Sequence, residues 1–199
     1  MAFDPRAERR LCRIAALNAL RLTARWDMLD EQDGGVEIWE PLPPDGPAVG
    51  RMHLACWREA YSALLPAAFW AEATEQRWVE RWTANLADPV EGATSRIAVR
   101  DGEVVGLASA GPSRPNATAG PPVREHELWA LYVRASEQGT GLASRLLDAV
   151  LPPGPAELWV FEANPRAIAF YGRHGFAPDG GRHVFGADLG HQPEIRLVR

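Results

Sequence analysis

Lysine is missing altogether: the 21 basic residues in this chain of 199 are all arginine. Alanine is abundant beside them, which marks GC-rich coding DNA and carries no functional signal. Acidic residues outnumber basic ones, 26 to 21, and the formal net charge of −5 gives no field that would draw the molecule onto nucleic acid or an anionic membrane. Cysteine is nearly absent as well. Cys12 and Cys56 lie far apart and fit no metal spacing or redox motif, so two reduced thiols are expected. No His, Cys or carboxylate spacing supports a metal. No apolar run approaches the roughly 18 residues of a membrane span. Arg13, Asn18 and Arg21 interrupt every stretch that could form a signal-peptide core. These absences lead to the expectation of a cytoplasmic protein with neither nucleic acid nor membrane as partner.

What remains is an ordinary globular composition, 46% hydrophobic and 24% charged, in a length that suits one domain with an appendage. Residues 1–35 read as that appendage. From Pro5 to about Met28, Leu11, Ile14, Ala15, Leu22 and Trp26 share a helical face, and six arginines line the other positions. Such a helix is expected to pack on the domain or across a homodimer interface; the alternatives are a mobile segment or a start codon assigned too early. A mixed α and β order follows over residues 36–199. Val36 to Trp39 reads as a strand, Ala48 to Leu65 as a helix, and Pro66 to about Ala87 as another. Ser95 to Arg100 and Glu103 to Ala110 form a hairpin across Asp101-Gly102, a pair suited to a type I′ turn. Gly111 to Val123 is a loop by composition. A strand at 125–133, a helix at 140–150 and a strand at 156–162 make a crossover unit. Asn164-Pro165 opens a further helix by its N-cap and N1 preferences, and Gly175 closes it. His183 to Ala187 and Glu194 to Val198 supply the last strands.

The most informative feature is Gln138-Gly-Thr-Gly-Leu-Ala143, set between the strand Leu128 to Val133 and the helix Leu142 to Val150. A glycine-bearing turn there leaves several N–H groups unpaired at the positive end of the helix dipole. That is a site for phosphate or pyrophosphate. It is not a dinucleotide fingerprint, since the third glycine and an initial βαβ unit are both missing.

Four pieces in order carry a family resemblance: Leu128-Trp-Ala-Leu-Tyr-Val133, the glycine turn, Leu158-Trp-Val-Phe-Glu, and Asn164-Pro-Arg-Ala-Ile-Ala-Phe-Tyr171 with His174-Gly-Phe176 after it. Together they resemble the GNAT superfamily of acetyl-CoA-dependent N-acetyltransferases. Trp57-Arg-Glu-Ala-Tyr61 and Leu64-Leu-Pro66 are similar to a segment common in bacterial members of unassigned substrate. The fold implied is α/β: a mixed sheet of about seven strands, its central strands splayed, flanked by helices. The cosubstrate implied is acetyl-CoA. Its pantetheine arm would lie along the backbone of Leu131, Tyr132 and Val133, and its pyrophosphate on the N–H groups of Gln138, Gly139, Thr140, Gly141, Leu142 and Ala143. Asn164 would bond to the arm as well as cap its helix, and Arg166 and Arg173 are within the chain's reach of the phosphates.

Tyr171 occupies the position of the tyrosine that protonates the departing thiolate. The base that deprotonates the amine is sought among Glu127, His126 and Glu162, with Glu127 preferred. Strand alternation groups Glu127, Trp129, Leu131 and Val133 on one face and His126, Leu128, Ala130 and Tyr132 on the other. His53, Trp57, Tyr61, Phe69 and Trp70 form an aromatic group that is mostly core, with Trp57, Tyr61 and Trp129 assigned to the acceptor pocket. The reaction expected is direct N-acetylation of a small primary amine. Acetylation of a peptide or protein N-terminus, and a non-catalytic acyl-CoA-binding regulatory module, are the alternatives.

Overall fold

The computed structural model describes residues 35–116 and 120–199; the helix expected between Pro5 and Met28 lies outside them. The elements are β1 (Val36–Trp39), α1 (Gly46–Tyr61), α2 (Ala67–Glu72), α3 (Glu75–Ala87), β2 (Thr94–Arg100), β3 (Glu103–Pro112), β4 (His126–Val133), α4 (Leu142–Val150), β5 (Glu157–Phe161), α5 (Pro165–Arg173), β6 (Ala177–Val184) and β7 (Pro193–Val198). The strands form one sheet in the order β1-β2-β3-β4-β5-β7-β6. Every neighbouring pair is antiparallel except β4 and β5. No helix among the described residues is long and apolar enough to cross a membrane.

Strand alternation divides the core between the two faces of the sheet. On one face Ala98, Ala108, Leu128 and Leu158 meet Leu142, Leu146, Leu147 and Val150 of α4. On the other, Ile97, Val99 and Leu107 meet Val49, Met52 and Cys56 of α1 and Trp82 of α3. Burying a side chain such as Leu146, which is fully enclosed, stabilises the fold by about 2–3 kcal/mol. Helices α1 and α3 touch backbone to backbone. A Cβ on Gly46 would stand 2.6 Å from Thr83 Cα, and one on Gly50 2.7 Å from the backbone of Trp78 and Val79.

Three boundaries differ from expectation, each for a local reason. The single helix expected from Pro66 to Ala87 is two, because Ala73 and Thr74 leave helical geometry and Thr74 caps α3 by accepting the Arg77 N–H at 3.4 Å. The helix expected to reach Leu65 ends at Tyr61. The strand expected at His183 to Ala187 is instead β6, eight residues that begin at Ala177. Asp179-Gly180-Gly181 has the composition of a turn, yet it is absorbed into the ladder as an irregularity between Pro178 and Arg182. Gly180 takes φ 91° there, a conformation glycine adopts without penalty. The hairpin turn is as expected, with Asp101 at φ 51° and Gly102 at φ 81°.

Candidate active site

β4 and β5 pair at only two positions, Glu127 with Glu157 and Leu128 with Leu158. Beyond those residues the strands part, and among the described residues no strand pairs with that side of β4 from Trp129 to Val133. β4 also carries a bulge. Ser109 pairs with Ala130 but Ala110 with Leu128, so Trp129 is the extra residue. Its indole lies over Gly111, where a Cβ would come within 2.4 Å of the ring. The bulge overturns the simple alternation expected along β4. Leu128 packs in the same core as Leu131 and Val133, whereas Tyr132 turns to the face that carries α1. One inserted residue exchanges the faces of everything after it.

The gap leads into a cleft of about 840 Å³ that runs from the glycine turn to the far ends of β4 and β7. At the turn, Gly139 has φ 86° and Gly141, the N-cap of α4, φ 87°. The N–H groups of Gly139, Gly141 and Ala143 have no backbone acceptor among the described residues. Thr140 lies off the cleft wall; its hydroxyl donates to Glu137 O at 2.8 Å and accepts a longer contact from Leu142 N. The Leu142 side chain is in the core. Arg166 and Arg173 line the cleft, with the Arg166 guanidinium on the Gln138 side-chain oxygen and that of Arg173 5.9 Å from the centre of the Phe170 ring. Sequence reasoning did not identify what holds the turn in place. Buried Glu137 accepts Arg100 Nε and Nη2, each at 3.0 Å, which ties the turn to β2. Glu59 of α1 accepts Arg134 Nε and Ala135 N, each at 2.8 Å, and fixes the chain that leads into the turn.

Midway along the cleft the Tyr171 ring packs against Phe170 and Phe176. Its hydroxyl makes no hydrogen bond among the described residues. Burial, then the charge of Tyr61, raise its pKa and keep the phenol protonated. Asn164 caps α5 as expected, its Oδ1 accepting Ala167 N at 3.0 Å, and its Nδ2 donates to the Tyr61 hydroxyl at 3.3 Å. Trp57 and Tyr61 line the same stretch. Cys56 lines it too, but burial, then Glu59, push its thiol up to about 12, far from the thiolate a nucleophile needs.

At the far end Glu127 is buried, and its carboxylate is committed to Arg114. It accepts the Arg114 backbone N–H at 2.9 Å, Nη2 at 2.6 Å and Nε at 3.3 Å. The Arg114 guanidinium lies 4.8 Å from the centre of the Trp129 ring. The Trp129 indole N–H is buried without a partner among the described residues. The two other candidate bases are elsewhere. His126 is exposed at the start of β4, and Glu162 is paired with Arg182 at 3.1 Å outside the cleft. Sequence reasoning also missed Glu194. It lines the cleft from β7, half-buried, and accepts Asn116 Nδ2 at 3.4 Å.

Behind the cleft wall at Trp57 His53 is buried, with Trp57 Nε1 at 3.0 Å from Nε2 and Trp82 Nε1 at 2.9 Å from Nδ1. A neutral imidazole accepts at one nitrogen only, so one indole donates at a time. Both neighbours are donors, and burial, then Arg81, lower the His53 pKa to about 3. The folded chain therefore resists a proton that the unfolded chain accepts below about 6.5. The stability this provides is complete above that pH and is lost as pH falls toward 3. Acidification from pH 7 to 5 should remove about 2 kcal/mol through this group alone. Urea unfolding at both pH values should show a shallower dependence in His53→Gln than in wild type; equal slopes would refute the assignment.

The family model described as the acetyltransferase (GNAT) family matches residues 57–176, more than half of the chain. That span contains Trp57, both splayed strands, the glycine turn and Tyr171. No curated protein matches the chain. Among solved structures, PH1933 from Pyrococcus horikoshii OT3 aligns at 18% identity over 82% of this chain and 97% of its own, with a TM-score of 0.59. A PaiA N-acetyltransferase from Thermoplasma acidophilum in complex with coenzyme A aligns at 14% over 81% and 97%, with a TM-score of 0.54. A ribosomal-protein-alanine N-acetyltransferase from Brucella melitensis aligns at 20% over 82% and 98%, with a TM-score of 0.56. At these identities the likeness is one of fold. By the family match, with the seven-stranded splayed sheet beneath it, the chain belongs to the GNAT family of acetyltransferases.

Proposed function

We propose that residues 36–199 form the catalytic domain of an enzyme that transfers an acetyl group from acetyl-CoA to the primary amine of a small molecule. The observation that carries this reading is the continuity of one cleft. It begins at the free N–H groups of Gly139, Gly141 and Ala143, follows the unpaired edge of β4 and passes the Tyr171 hydroxyl. The pyrophosphate sits on the turn from Gln138 to Ala143, at the positive end of α4. Arg166 stands beside it. The pantetheine arm pairs with the backbone of Leu131, Tyr132 and Val133 in the place of a neighbouring strand, and Asn164 reaches it with its remaining amide N–H.

Transfer is direct. The amine attacks the thioester carbonyl, the carbon–sulfur bond breaks, and Tyr171 gives its proton to the departing sulfur. Among the described residues Cys56 is the only cysteine in the cleft, and it is held as a thiol, which favours a reaction without an acyl-enzyme. The acceptor binds among Trp57, Tyr61 and Trp129, beside carboxylates that suit an ammonium. A non-catalytic acyl-CoA-binding module would have no use for an unengaged phenol at this point of the cleft.

The test has two stages. Calorimetry with acetyl-CoA should show saturable binding. An assay of released CoA thiol should then show turnover with arylalkylamines or polyamines in preference to a peptide with a free N-terminus. Turnover confined to the peptide would move the acceptor class, and no acetyl-CoA binding would end the reading.

A further inference from the structure

The two acidic side chains at the acceptor end differ in their bonding. Glu127 is locked by three hydrogen bonds from Arg114. Glu194 has only the amide of Asn116 and no basic partner among the described residues. It stands on β7 opposite Phe161 of β5 and His183 of β6, and it opens into the same cleft as Tyr171. The charges around it are Glu127 from β4, Arg114 from the connection before β4, His183 from β6, and Arg196 two residues along β7, which is itself paired with Asp179 at 2.9 Å.

We propose that Glu194 is the general base of the transfer, taking the proton of the incoming ammonium, with the Arg114-bound Glu127 as the fixed negative charge beside it. This inference rests on the acetyl-transfer reading above. One proton passes from the ammonium to a Glu194 carboxylate oxygen. The freed lone pair forms the carbon–nitrogen bond to the thioester carbonyl carbon, and the carbon–sulfur pair leaves with sulfur, which takes the Tyr171 proton. The second proton of the nitrogen returns to the phenolate, and Glu194 releases its own to solvent. The sum is ammonium plus acetyl-CoA giving acetamide, CoA thiol and one proton.

The electrostatics suit that role. Burial, then the charge of Glu127, push the Glu194 carboxyl up to about 7, against the opposing pulls of Arg114 and the Asn116 hydrogen bond. A base poised near the working pH combines a usable fraction in the right form with real proton affinity. Activity should therefore rise with pH through about 7.

The experiment uses the full chain with acetyl-CoA and 2-phenylethylamine, measuring kcat/KM from pH 5.5 to 9 in wild type, E194Q, E194D and E127Q. Glu194→Gln should lose the acid limb and about a hundredfold in rate, Glu194→Asp should recover part of the rate, and Glu127→Gln should keep the limb but move it to lower pH. A purely structural role would not produce that opposite pair of pH effects. Calorimetry should show that E194Q retains wild-type affinity for acetyl-CoA. Failure of the wild type to bind acetyl-CoA would sink the acetyl-transfer reading itself. Normal binding with an unchanged acid limb in E194Q would overturn only the base assignment. If wild type binds acetyl-CoA but leaves phenylethylamine unacetylated, NMR of carbon-13 glutamate carboxyls decides. A carboxyl titrating near 7, absent in E194Q and shifted down in E127Q, supports the proposal, and its absence overturns it.

Discussion

Gly141→Val should reduce acetyl-CoA affinity by more than a hundredfold, the largest effect expected of any single change in this protein. Gly141 sits at φ 87° as the N-cap of α4, where a β-branched residue is a steric outlier. No atom stands within 4 Å of a Cβ placed there, so the substitution meets no protein neighbour. Its cost is twofold. The left-handed backbone is strained by about 1–3 kcal/mol, and the isopropyl group stands in the approach proposed for the pyrophosphate. Relaxation of the backbone to negative φ would also turn the N–H groups of Gly141 and Ala143 away from a common point. Calorimetry on folded protein, with Gly141→Ala as the intermediate case, separates the two costs. Undiminished affinity in the valine variant would remove the turn from the cosubstrate site.

Tyr171→Phe should lower kcat by about tenfold or more, with the KM for acetyl-CoA nearly unchanged, because in the proposed mechanism the phenol acts only as sulfur departs. The ring keeps its contacts with Phe170 and Phe176. Its hydroxyl has no hydrogen bond to lose among the described residues, so stability should stay within about 0.5 kcal/mol. The fall in rate is then chemical rather than structural. Unaltered kcat in a properly folded variant would leave the thiolate to be protonated by water and Tyr171 as packing.

What could be read in advance was whatever is encoded within a few residues. Asp101-Gly102 turned as its composition required, Asn164 capped α5, and a glycine-bearing turn led into α4. The order of strands and helices followed from periodicity. What escaped depends on partners distant in sequence. The bulge at Trp129 arises because its indole covers Gly111 across the strand pair, and no local pattern announces it. It nevertheless decides which side chains of β4 share a face. Thr74 carried a capping signal, but it was hidden inside a longer stretch of good helix formers. Glu194 offered least of all. It is one acidic residue in a terminal strand, and its significance comes from Glu127, which lies 67 residues earlier. Arg114 showed how composition misleads in the other direction, since a residue from an apparently generic loop clasps the carboxylate preferred as base.

The seam of Gly46 and Gly50 against α3 bears on how the enzyme could change its acceptor. At these two positions main chain rests on main chain, so no side chains stand there that could repack to let the first turns of α1 slide along α3. If the wall bearing Cys56, Trp57 and Tyr61 receives the acceptor as proposed, differently shaped amines would be accommodated there by rotamers rather than by displacement of α1. Evolution of a new acceptor preference would proceed here by exchanging side chains on an unmoving frame, one residue at a time.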